Sequence, residues 1–115
     1  MEKHEAKMNI EKLIEKYHRI EKEGKVKSYN EAQTRNEFIE PLFEFLGWDM
    51  RNLTNDNEVT TEETISGGRV DLAFRIDSIP VMFLEAKAMK IDLDEWKWAE
   101  QAINYSWNKG VTWAV

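Results

Sequence analysis

Apolar residues recur at helical intervals along the first part of the chain. Between Glu5 and Glu23, Ile10, Leu13, Ile14, Tyr17 and Ile20 fall among Lys and Glu, and Gly24 stands where a helix would stop. This spacing predicts an amphipathic helix within a leading segment, residues 1–24. After a short connector from Lys25 to Tyr29, Asn30 can cap a second helix running to about Leu46, with Glu31 in its first turn favourable against the helix dipole. Phe38, Ile39, Leu42, Phe43 and Leu46 are its expected buried stripe and Gly47 its end. Pro41, inside that stretch, predicts a kink between Glu37 and Pro41.

The period then changes. Trp48 to Asn57 is polar and rich in Asn and Asp, which reads as a loop, and Glu58 to Ile65 is a Val/Thr/Glu stretch with strand character, broken by Ser66, Gly67 and Gly68. Val70, Leu72, Phe74 and Ile76 alternate with Asp71, Ala73, Arg75 and Asp77, the period of two of a strand with unlike faces. A turn over Asp77 to Ile79 leads to Pro80, tolerated at the start of a strand, and to the apolar run Val81-Met82-Phe83-Leu84. Asp92 can cap a third helix in which Leu93, Trp96, Ala99, Ile103 and Trp107 recur until Gly110, and Val111 to Val115 reads as a last strand. The expected architecture is α/β or α+β, a mixed sheet flanked by helices over residues 30–115. The first helix is extra to it: it packs on the domain, pairs with another copy or does neither.

The run after Pro80 ends in Glu85-Ala86-Lys87, an acid and a base two residues apart and so on one face of an extended chain. A three-residue turn at Asp77 to Ile79 pairs position 76 with 80 and sets Asp71 opposite Glu85, with side chains about 5 Å apart. Two carboxylates so close repel each other, and a shared divalent cation with water in its remaining positions is the simplest remedy. Such an ion polarises a phosphodiester and lowers the pKa of a bound water, while the Lys87 ammonium orients that water or offsets charge developing at phosphorus. Hydrolysis is the chemistry implied.

Composition narrows the choice. The 115 residues suit one small domain, and 42% hydrophobic residues with five Trp describe a chain that folds although a third of it is charged. No apolar run approaches the roughly 18 residues that cross a bilayer, and the N-terminus opens on charged residues, so a soluble cytoplasmic protein without membrane contact is expected. The absence of cysteine leaves carboxylates, carbonyls and two His as metal ligands, which favours Mg2+, with Mn2+ as a substitute. A net charge of −6 is the wrong sign for gripping DNA by bulk electrostatics, so other domains are expected to supply affinity.

Val-Asp-Leu at 70 to 72 followed by Glu-Ala-Lys at 85 to 87 resembles the PD-(D/E)xK nuclease superfamily, whose core order is also helix, three strands, helix, strand. Asn30-Glu31-Ala32-Gln33-Thr34-Arg35, Phe38-Ile39-Glu40-Pro41-Leu42 and Leu46-Gly47-Trp48 are similar to the opening of the N-terminal nuclease domain in type I restriction R subunits and fused type IIG restriction-modification enzymes. The resemblance covers residues 30 to 115. It implies a restriction-endonuclease-like core in which Asp71 and Glu85 bind the metal, Glu31 is the helix acid that reaches it through water, and Lys87 is the catalytic lysine. Gln101 and Tyr105 match a Gln-x-x-x-Tyr motif, four residues apart on one helix face, and are expected at the substrate. Arg69, which with Val70 stands where many members have Pro, is assigned to substrate contact as well.

Each element also has a plainer reading. Glu85 and Lys87 form a same-face ion pair, Glu31 serves the helix dipole while Glu37 or Glu40 is the functional acid, and Gln101 and Tyr105 belong to a helix surface and the core. Trp96, Trp98, Trp107 and Trp113 are expected in the core, except Trp98, which lies off the stripe and is expected exposed. His4 and His18 are far in sequence from the acids and carry no assigned role. The expectation is a magnesium-dependent endonuclease of a restriction system, acting on DNA. It is read as an excised N-terminal domain followed by methyltransferase, helicase or recognition domains, with possible homo-oligomer contact through residues 5–23. The rival is a non-catalytic docking module that keeps the nuclease fold.

Overall fold

Asn30 opens the second helical stretch as its side chain predicts. Its carboxamide oxygen accepts the Gln33 N–H at 2.8 Å, and the Gln33 side chain accepts the Asn30 N–H at 3.3 Å, so two of the orphan donors of a helix start are satisfied reciprocally. The computed structural model describes residues 2–54, 57–65, 68–111 and 113–115, and for 62–65, 68, 69 and 108 the backbone alone. Two compact units emerge: Met1–Trp48 with Ala86–Ile91, and Asp49–Glu85 with Asp92–Val115.

The first unit is helical. Its α1 (Lys3–Lys22) is capped by Glu2, whose carboxylate accepts from His4 and Glu5 N–H, and a turn at Val26–Ser28 leads to α2 (Glu31–Thr34), a wide π-helical turn (Arg35–Ile39) and α3 (Glu40–Phe45). The kink expected before Pro41 is this wide turn. Pro41 has no N–H to give and its ring crowds the carbonyl four residues back, so the backbone spaces itself out and the Glu40 N–H reaches the Arg35 carbonyl, five residues back. The extra helix α1 packs on this stretch: Tyr17 meets Phe38 edge-on at 6.4 Å and Lys16 pairs with Glu37 at 3.0 Å. Leu46, placed in the buried stripe by its spacing, is exposed at 59%, because the helix ends at Phe45 and Leu46 caps it from outside.

The second unit is a four-stranded mixed sheet in the order β1 (Val59–Ile65), β2 (Gly68–Ile76), β3 (Ile79–Leu84), β4 (Trp113–Ala114), with α4 (Trp96–Lys109) between the last two strands. The first three strands run antiparallel, and β4 returns parallel to β3. This α+β arrangement agrees with the expected order of elements. Val70, Ala73, Phe83 and Val111 form a buried core on which Tyr105 of α4 packs, while Leu72 and Phe74 are fully buried on β2.

The β2–β3 turn is shorter than expected. Ile76 pairs with Ile79 across Asp77 and Ser78 alone, whose φ values of 50° and 69° are those of the two-residue hairpin turn that follows the twist of the strands. Arg75 then pairs with Pro80 but Phe74 with Met82, so Val81 is an extra residue beside a proline that cannot donate to the ladder. The bulge cancels the one-residue error in the turn, and beyond it Leu72 faces Leu84.

Two details of α4 differ from expectation. Asp92 is not its cap: its carboxylate accepts from Asp94 N–H in the turn ahead, and Glu95 takes the cap position without a side-chain bond. The buried face is also the opposite one. Trp98, Gln101, Ala102 and Tyr105 are half-buried and Ser106 is buried, whereas Trp96, Ile103 and Trp107, 69%, 51% and 82% exposed, form a stripe open to solvent with Leu93. The helix is apolar on two sides, and the side that meets the sheet is the one carrying Tyr105.

Candidate active site

Asp71 of β2 and Glu85, the residue after β3, stand next to the last pair of the β2–β3 ladder. The last pair of the β2–β3 ladder is Leu72 with Leu84, and one step further in the same register sets Asp71 level with Glu85. Level residues of an antiparallel pair share a face, here that of the paired Ala73 and Phe83, the side on which Tyr105 packs. Glu85 is held from its other edge as well: Val115 donates its N–H to the Phe83 carbonyl at 2.9 Å and accepts the Glu85 N–H at 3.0 Å, so the C-terminal strand extends alongside it. Both acids are half-buried, and Oε1 of Glu85 is shielded from solvent.

On α4, Gln101 donates through Nε2 to the Tyr105 hydroxyl at 3.0 Å, the four-residue spacing placing one a turn above the other. The hydroxyl thus accepts from Gln101 and keeps its own proton for another partner. Asp71, Glu85, Gln101 and Tyr105 all belong to the sheet unit. Glu31 and Lys87 belong to the helical unit, where Glu31 is the exposed first residue of α2 and Lys87 is half-buried two residues after Glu85. Arg69 is on β2 opposite Thr64, and its side chain lies outside the described residues.

Among the described residues no group of three or more Asp, Glu or His side chains gathers in a way that could hold a metal ion. Asp71 and Glu85, beside the last ladder pair, are a hard oxygen donor set. Magnesium keeps several waters and is commonly held by one or two carboxylates with the substrate phosphate, so such a pair fits it without a third protein ligand. Neither His adds to this set: His18 is 3.9 Å from Glu21 on the exposed side of α1, and His4 is exposed near its start.

Glu37, the alternative helix acid, has another task. The Lys16 ammonium and the Tyr29 hydroxyl both donate to its Oε1 at 3.0 Å, and these two bonds hold its carboxyl below the ordinary glutamate value of 4.5. Burial, and then the bond to Glu37, push the Tyr29 phenol above 10.0. Periodicity gave no sign of this group, because Lys16, Tyr29 and Glu37 lie on three different segments and each is an ordinary surface residue in its own.

The chain is similar to a fused restriction-modification enzyme. The relative is the type II restriction enzyme and methyltransferase RM.Eco57I of Escherichia coli, 35% identical over 97 residues that cover 76% of this chain and 10% of that protein. The chain therefore spans about a tenth of the length of the curated relative it matches. No family model matches the chain. No solved structure matches it either. No helix among the described residues is long and apolar enough to cross a membrane.

Proposed function

We propose that this chain is the endonuclease domain of a restriction system, hydrolysing DNA phosphodiesters with magnesium. The observation that supports the reading is the β2–β3 ladder, which ends at the pair Leu72 and Leu84 next to Asp71 and Glu85, with Lys87 two residues further along the chain. Similarity to a protein named as a restriction enzyme and methyltransferase supports the biological setting, and further domains of the same polypeptide are proposed on the same ground.

Asp71 and Glu85 would hold the cation, with Glu31 contributing through water as the superfamily resemblance implies. Bound there, a divalent cation supplies polarisation of the phosphodiester and a water of lowered pKa. The Lys87 ammonium offsets the charge that grows on the phosphoryl oxygens, a role for which a compact point charge suffices. Tyr105, oriented by Gln101, donates its remaining proton to a phosphate oxygen and fixes the strand. Arg69 is proposed as a further contact to the backbone of DNA.

Supercoiled DNA incubated with the chain and Mg2+ should be nicked, and Asp71→Ala and Lys87→Ala should each abolish nicking while circular dichroism stays that of the parent. Cleavage surviving in both variants would overturn the assignment. A docking module is the second reading, favoured by the net charge of −6 and by the open Trp96, Ile103 and Trp107 stripe. Calorimetric titration with Mn2+ separates the two, since the enzyme needs a binding site that Asp71→Ala removes and a docking module does not.

A further inference from the structure

The segment that carries Lys87 is tied to its unit through the backbone of Tyr29. Met89, two residues beyond Lys87, donates its N–H to the Tyr29 carbonyl at 3.3 Å. Tyr29 is fixed at its other end: its hydroxyl donates to Glu37 at 3.0 Å, and its ring meets Phe38 edge-on with centroids 5.9 Å apart. Lys16 of α1 completes the support, donating to the same Glu37 oxygen at 3.0 Å with its ammonium 5.0 Å from the Phe38 ring centre. The residue after Tyr29 is Asn30, which caps the helix that begins at Glu31. One tyrosine thus stands between the helix start of one proposed site residue and the segment that carries another.

We propose that Tyr29 is a positioning residue for Lys87 and Glu31, clamped by Glu37 and Lys16, so that α1 acts as a buttress of the segments that carry these two residues. The roles of Lys87 and Glu31 rest on the nuclease reading, while the coupling through Tyr29 rests on hydrogen bonds alone. A phenylalanine would keep the ring on Phe38 and lose the hydroxyl, which isolates the clamp from the packing. Glutamine at 37 keeps an oxygen that accepts from Tyr29, whereas leucine does not.

Amide hydrogen exchange and single-turnover cleavage, both on the full chain, test this. In Tyr29→Phe and Glu37→Leu the Met89 amide should exchange about tenfold faster, the weight of one hydrogen bond, with Ala73 and Phe83 amides unchanged. The cleavage rate at saturating DNA should fall by about the same factor while half-saturation stays put, as expected of an effect on the reacting geometry. Glu37→Gln should restore both readouts to near the parent. Unchanged Met89 exchange in Tyr29→Phe overturns the clamp, and faster exchange with an unchanged cleavage rate overturns its positioning role. A parent chain that does not cleave DNA removes the nuclease reading, and Met89 exchange then decides the coupling by itself.

Discussion

Gln101 and Tyr105 test how far a single hydrogen bond shapes the proposed site. If Gln101 acts by orienting the Tyr105 hydroxyl, Gln101→Ala and Tyr105→Phe each lower the cleavage rate about tenfold, and the double variant is no slower than either alone, a coupling that a double-mutant cycle reads directly. Additive losses would show two separate roles. Phe83 is the contrasting case, since its side chain is 1% exposed in the core beside the two acids. Phe83→Ala should cost about 3–5 kcal/mol in chemical denaturation, through lost burial and the cavity left behind. At this scale the sequence picks out candidate residues for chemistry, because acids at the end of an apolar strand are costly without a reason. It names Glu37 as an alternative helix acid but gives no sign of its bonds, whose partners come from two other segments.

At the scale of elements, alternation and caps located most of the fold, and the failures have physical causes. The β2–β3 register came out as expected through two departures that cancel, a turn one residue shorter and a bulge at Val81, neither of which alternation can see. In α4, apolar residues at helical spacing lie on both sides, so periodicity alone cannot choose the side that packs; it favoured the side with more tryptophan, and the sheet takes the other. Trp107→Lys should therefore change stability by no more than about 0.5 kcal/mol in thermal unfolding, whereas a core tryptophan would cost several times that. Packing of α1 has a pH signature. Because Lys16 and Tyr29 lower the folded pKa of Glu37, its contribution is fully present above 4.5 and is lost as pH falls through the lowered value. Tyr29, raised in the fold, contributes below 10.0 and loses its share as pH rises through its folded value. Exchange of α1 amides should rise at both extremes, and in Glu37→Gln the acid limb of that rise should disappear.

For the molecule as a whole, charge decides how the proposed site can meet DNA. With 22 acidic against 16 basic residues, the chain repels a polyanion overall, and two half-buried carboxylates add to that repulsion at the proposed site. Non-specific DNA binding by basic domains has dissociation constants of roughly 10⁻⁴ to 10⁻⁶ M, and an acidic chain starts from a weaker position. On the proposed reading, attraction is created locally, by a divalent cation that neutralises the Asp71–Glu85 pair and is itself drawn to phosphate. Fluorescence anisotropy of a short duplex should show no binding at about 10 μM protein in EDTA, the middle of that range. Binding should appear with Ca2+, which occupies oxygen sites, and vanish again in Asp71→Asn. Binding in EDTA that Asp71→Asn leaves intact would mean that DNA is held by surfaces other than the acid pair. The carboxylates would then be part of the sheet's structure, and the net charge would no longer bear on the mechanism.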